Sequence, residues 1–103
     1  MGDEDGARVQ WKRAYEFWEE FEAGLNEGDD LYHFNKARAR EGKARVLEAT
    51  GKTEEALSQW ELALKEFEAF LETGDYNSKA NKGIARTKEE IARVKAALLA
   101  KSG

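Results

Sequence analysis

Glu48-Ala49-Thr50-Gly51-Lys52-Thr53-Glu54-Glu55 decides the architecture of this chain. Glycine stands where a helix would end in left-handed backbone, and a threonine follows whose hydroxyl can cap a new helix, so the segment reads as a stop and a start in immediate succession. On both sides the apolar residues keep a helical period. After the break, Ala56, Trp60, Ala63, Leu64, Phe67 and Leu71 share one stripe at about 100° per residue; before it, Leu31, Val46 and Ala49 define another. Two further breaks of the same kind, Asn26-Glu27-Gly28-Asp29-Asp30 and Thr73-Gly74-Asp75, bound these two helices on their outer sides. The pattern predicts helices over residues 5–26, 31–49, 53–72 and 76–100. Connections this short join antiparallel neighbours, so the expected fold is all-α, an antiparallel up-down-up-down four-helix bundle forming one domain over residues 1–103.

Composition narrows the function. The 103 residues include no proline, no cysteine and one histidine, with a formal net charge of −4. Missing proline favours uninterrupted helices. Missing cysteine removes disulfides, thiol nucleophiles and thiolate metal sites, and a single histidine would leave a zinc site mostly to carboxylates, so neither metal nor cofactor is expected. No apolar run approaches the roughly 20 residues of a membrane span. The acidic opening Gly2-Asp3-Glu4-Asp5 is also wrong for a signal peptide. A soluble, cytoplasmic or recombinantly expressed protein without a membrane partner is expected. Basic residues scattered through a mildly acidic chain argue against nucleic acid. The expected state is a monomer, with Leu47 and Leu62 as outward leucines available to a dimer contact.

One level of the predicted bundle is anomalous. The first helix, with Ala7, Trp11, Ala14, Trp18, Phe21 and Leu25, reads as ordinary core, and the fourth carries Tyr76, Ala80, Ile84, Thr87, Ile91, Val94 and Leu98. In the second helix, however, Asn35, Arg38 and Gly42 fall inside the apolar stripe. Counted by the helical rise, they lie level with Ala14 to Phe21, Ala63 to Phe67, and the small residues Ala80, Gly83 and Thr87. Glycine inside a helix costs about 1 kcal/mol against alanine, and an unfilled void costs more. Close helix approach, a ligand cavity and plain tolerance all fit the glycines. The neighbouring polar groups favour the cavity, since a tight seam would not bury an amide and a guanidinium. The candidate ligand-binding residues are therefore Ala14, Trp18, Phe21, Asn35, Arg38, Gly42, Trp60, Ala63, Phe67, Ala80, Gly83 and Thr87. The rings would form walls and Asn35, Arg38 and Thr87 would give hydrogen bonds, a site for a small, planar, acceptor-rich aromatic molecule. Arg38 has a second reading, snorkelling to the rim or pairing with Glu41, Glu22 or Glu90. Gln10, Tyr15 and Gln59 sit at stripe edges. His33 lies opposite Gly42 on the helical wheel and is expected to face solvent. No serine or cysteine nucleophile accompanies it, so no catalytic residue is assigned; simple proton transfer by a glutamate or cofactor chemistry is the enzymatic alternative.

Two resemblances bear on these expectations. Residues 44–63 resemble a tetratricopeptide helix pair, with Ala44, Leu47, Gly51, Ala56, Trp60 and Ala63 at that family's packing positions. Arg40 and Lys43 stand where the family has apolar residues, and Glu68 where it has a closing proline. This resemblance implies a peptide-binding or scaffold module. The whole chain resembles de novo designed up-down four-helix bundles built around a central small-molecule (drug) site, in its four long helices, short glycine turns, and small or polar residues at one core level. That likeness implies a buried drug-like aromatic ligand, no native substrate and no cellular partner.

Overall fold

Gly51 and Gly74 hold left-handed backbone, at φ 82° and 80°, and each closes a helix. The computed structural model describes the backbone of residues 2–102 and, within it, the side chains of residues 8–101. Its four helices are α1 (Gly2–Ala23), α2 (Tyr32–Ala49), α3 (Thr53–Glu72) and α4 (Asn77–Ser102). At the end of α2, Gly51 N–H donates to Glu48 O at 3.1 Å and Lys52 N–H to Leu47 O at 2.8 Å, the paired bonds that a left-handed glycine permits. Gly74 N–H donates to Leu71 O at 3.1 Å in the corresponding place on α3.

The first connection departs from expectation. α1 was expected to run to residue 26 but ends at Ala23. Beyond it, Asn26 Oδ1 accepts from Gly28 N–H and Asp29 Oδ1 from Leu31 N–H, both at 2.9 Å, and these local turns compete with helix for the same backbone. Thr53 is the first residue of α3 and does not cap it; Lys52 occupies the cap position without a side-chain hydrogen bond.

The helices pack in sequence, α1 on α2, α2 on α3 and α3 on α4, an all-α up-down arrangement. The molecule measures 49 × 34 × 16 Å with a radius of gyration of 14.9 Å, against about 13 Å for a compact domain of this length. With packed helix axes about 8–10 Å apart, that thickness holds two helix layers. α2 and α4 run parallel, and long side chains bridge them. Lys79 Nζ lies 5.1 Å from the centre of the Phe34 ring, Arg86 Nη2 2.7 Å from Glu41 Oε1, and Arg93 Nη2 2.7 Å from Glu48 Oε1. Each pair is separated by 45 residues, as Glu41 and Arg86 are, and successive pairs are seven residues apart, about two helical turns.

α2 is the central helix. From Ala37 to Leu47 every residue except Arg38, Arg40 and Arg45 is buried, including the charged Glu41 and Lys43. One core cluster joins Ala44, Trp60, Ile91 and Val94, with Leu57, Leu64 and Leu98 against it. Phe34, Phe67, Phe70 and Tyr76 form a second, aromatic centre. α1 is not the ordinary core helix its stripe suggests. Trp11 and Phe17 are 39% and 57% exposed, while Ala14, Trp18, Phe21 and Leu25 are half-buried; Ala7 lies outside the described side chains. The reason is that, among the described residues, α1 packs chiefly on α2, so only part of its stripe is covered. Ala49 and Tyr76 are exposed. Leu47, expected outside, is buried, whereas Leu62 is exposed. Among the described residues no helix is long and apolar enough to cross a membrane.

Candidate functional site

α1 and α4 flank α2 without closing over it, and the space between them is an open groove of about 600 Å³. Its floor is a line along α2, Arg38, Glu41, Gly42, Arg45 and Val46, the i, i+3, i+4, i+7 spacing that sets residues on one helix face. Trp11, Ala14 and Trp18 of α1 make one wall, and Arg86 of α4 stands on the other side.

Gly42 forms this floor because of what lies on it. A Cβ added there would overlap the Trp18 indole, so the glycine is a notch that seats the ring. Gly83 does the same for Phe67, whose ring would lie 2.5 Å from an added Cβ. The two glycines thus belong to different seams, α1 with α2 and α3 with α4. The gap that each leaves is taken by an aromatic ring.

The predicted site residues divide accordingly. Ala14, Trp18, Arg38 and Gly42 come together in the groove. Phe21 stays on α1, its ring edge-on to Trp18 with centroids 5.7 Å apart. Asn35 is half-buried at the start of α2. Trp60, Ala63, Phe67, Ala80, Gly83 and Thr87 are buried in the packing of α2, α3 and α4. Thr87 Oγ1 donates to Gly83 O at 2.6 Å, and Trp60 Nε1 donates to Glu48 Oε2 at 2.9 Å. Sequence reading missed Trp11, Glu41, Arg45, Val46 and Arg86. The seven-residue spacing of Arg38 with Arg45, Glu41 with Glu48, and Lys79 with Arg86 and Arg93 carries that signal.

The charges of the groove are ordered. Arg86, Arg38 and Arg45 sit over the rings of Phe67, Phe34 and Trp60, with guanidinium carbons 5.7, 5.8 and 5.4 Å from the respective centroids. Arg86 is held by the buried Glu41. Arg38 does not pair with Glu41, Glu22 or Glu90: Glu22 takes Arg40 and Lys43, each at 3.1 Å, and Glu90 takes Arg93. It is exposed, at the rim. Basic residues therefore line up along the α2–α4 seam, which the scattered sequence did not suggest. The hydrogen bonds that the Arg93 guanidinium donates to Glu90 and Glu48 push its pKa further up, so it stays charged.

A second open cleft of about 430 Å³ lies on the other side of α1, between Trp11, Tyr15 and Glu19 and the α2–α3 turn at Thr50 and Lys52. Burial pushes the Tyr15 phenol pKa up, Glu19 and Glu55 add to this, and Arg40 opposes it. Gln59, at a stripe edge, accepts from Arg40 at 3.3 Å. His33 does not simply face solvent, because its Nδ1 lies 2.8 Å from Glu66 Oε2 on α3. Among the described residues no group of three or more His, Asp or Glu is placed to hold a metal ion. Comparison with protein-family models, curated proteins and solved structures finds no match for this chain.

Proposed function

We propose that the protein is a binding protein without catalysis, and that the groove between α1 and α4 holds a planar, aromatic, acceptor-rich small molecule. The observation that carries this reading is the exposed line of α2. Between Ala37 and Leu47 the exposed positions are Arg38 and Arg45, both on the groove floor beside the indoles of Trp11 and Trp18. Flat indole surface favours a flat ligand, and arginine forks suit carbonyl and carboxylate oxygens. Origin as a designed drug-binding bundle belongs to the same proposal, in which case the ligand is synthetic and no cellular partner exists.

The test is thermal unfolding against a panel of planar aromatics bearing carbonyl or carboxylate groups. A ligand at 100 times its dissociation constant adds about 2.7 kcal/mol, several degrees for a domain of this size. Loss of that shift in Trp18→Ala, with α2, α3 and α4 still folded, would locate the site in the groove; a panel without effect would remove the reading. A second reading, peptide binding in the tetratricopeptide manner, is favoured by one observation. The groove is open along its length and cationic at seven-residue steps, which would also suit an acidic helix.

A further inference from the structure

Resting on that reading, we infer that the groove selects a ligand with two anionic groups about 10 Å apart, joined by an uncharged aromatic spacer. Arg38 and Arg45 are seven residues apart on α2, about 10 Å along the helix. Among the described residues neither has a carboxylate within ion-pair reach, although the other cations of α2 do: Lys36 reaches Glu66, and Arg40 and Lys43 reach Glu22. Carboxylates are not scarce, since Asp and Glu number 21 against 17 Lys and Arg. Two guanidiniums are thus left without countercharge on one face of an acidic chain.

The stretch between them is different in kind. Glu41 is already neutralised by Arg86 at 2.7 Å, and Gly42, Val46 and the Trp18 indole present apolar surface. An anionic group placed midway would meet Glu41, whereas an aromatic ring would meet indole. The pattern of the floor is cation, apolar, cation. Its complement is anion, aromatic, anion, a linear aromatic dicarboxylate. Phe34 and Trp60 lie beneath the two guanidiniums and hold them on the floor, so less side-chain freedom is lost on binding.

The experiment titrates the whole protein with biphenyl bearing a carboxylate at each para end, with the corresponding monocarboxylate, and with the neutral diamide of the same length. The dicarboxylate is expected to bind at least about tenfold tighter than the diamide, and the advantage should shrink as salt is raised. Arg38→Gln and Arg45→Gln should each bring the dicarboxylate down to the monocarboxylate, with the helical circular dichroism of the parent retained. Lys88→Gln, an exposed cation elsewhere on α4, should change nothing. Equal binding of dicarboxylate and diamide would overturn the two-anion inference and leave the groove reading standing. An equal loss from Lys88→Gln would overturn it as a net-charge effect. Binding of an acidic helical peptide in place of all three biphenyls would overturn it together with the small-molecule reading.

Discussion

Gly42 is where one hydrogen atom in place of a methyl group fixes a tertiary contact. An added Cβ meets the middle of the Trp18 indole, so the ring or α1 must shift to admit it. Overpacking costs about 1–3 kcal/mol and alanine regains about 1 kcal/mol of helix propensity, so Gly42→Ala should lower stability by about 1 kcal/mol. Gly6, within α1, has nothing within 4 Å of an added Cβ, and Gly6→Ala should raise stability by up to about 1 kcal/mol. Chemical denaturation of both variants checks the pair of opposite signs. Tyr15 gives a second residue-scale prediction. Its pKa lies above the ordinary 10.0, chiefly through burial, so the neutral phenol favours the fold. That contribution is complete below about pH 10 and is lost as pH rises through the folded-state value. Stability measured from pH 9 upward should fall less steeply in Tyr15→Phe than in the parent; identical slopes would show that Tyr15 is not the group responsible. The anomaly at Gly42, Gly83 and Arg38 was legible in the sequence, but its resolution was not. Periodicity along one helix says that space exists at a glycine and cannot say which ring from a neighbouring helix enters it.

At the scale of elements, α1 differs from the other three. It packs on α2, exposes Val9, Trp11 and Phe17, and is bordered by an open cleft on each side. Helices with few buried apolar contacts open locally at lower free energy than the rest. Amide hydrogen exchange should therefore be fastest in α1 and slowest around Ala44, Trp60 and Val94, the cluster that joins α2, α3 and α4. Uniform protection across all four helices would mean that α1 is held as firmly as the others. The positions of α3 and α4 were legible to within about two residues, since Gly51 and Gly74 end helices by a backbone conformation that few other residues adopt. The end of α1 was misjudged because Asn26 and Asp29 hydrogen-bond their own backbone, a competition that apolar periodicity does not register. α2 looked anomalous for a simple reason. It is packed on by α1 and α3 and tied to α4 by Glu41 and Glu48, so a wheel with one buried and one exposed face does not describe it.

For the molecule as a whole, sequential packing is what creates a site. Four helices in a slab 16 Å thick leave α1 and α4 on either side of α2, and the groove is the strip of α2 that neither covers. The predicted ligand residues presuppose a central axis that all four helices share; Ala14, Trp18, Arg38 and Gly42 meet in the groove, while Trp60, Phe67 and Thr87 are fully buried in the helix packing. The three tryptophans report on this division directly. Trp11 and Trp18 wall the groove, whereas Trp60 is fully buried with its indole N–H on Glu48. The most direct test follows the three indole N–H resonances by two-dimensional NMR while a planar aromatic carboxylate is titrated in. Binding in the groove predicts progressive, saturable shifts of the Trp11 and Trp18 signals that exceed any at Trp60, which the groove reaches only through the Arg45 guanidinium over its ring. Saturable binding that shifts Trp60 and leaves Trp11 and Trp18 in place would contradict it and put the ligand inside the α2–α3–α4 core.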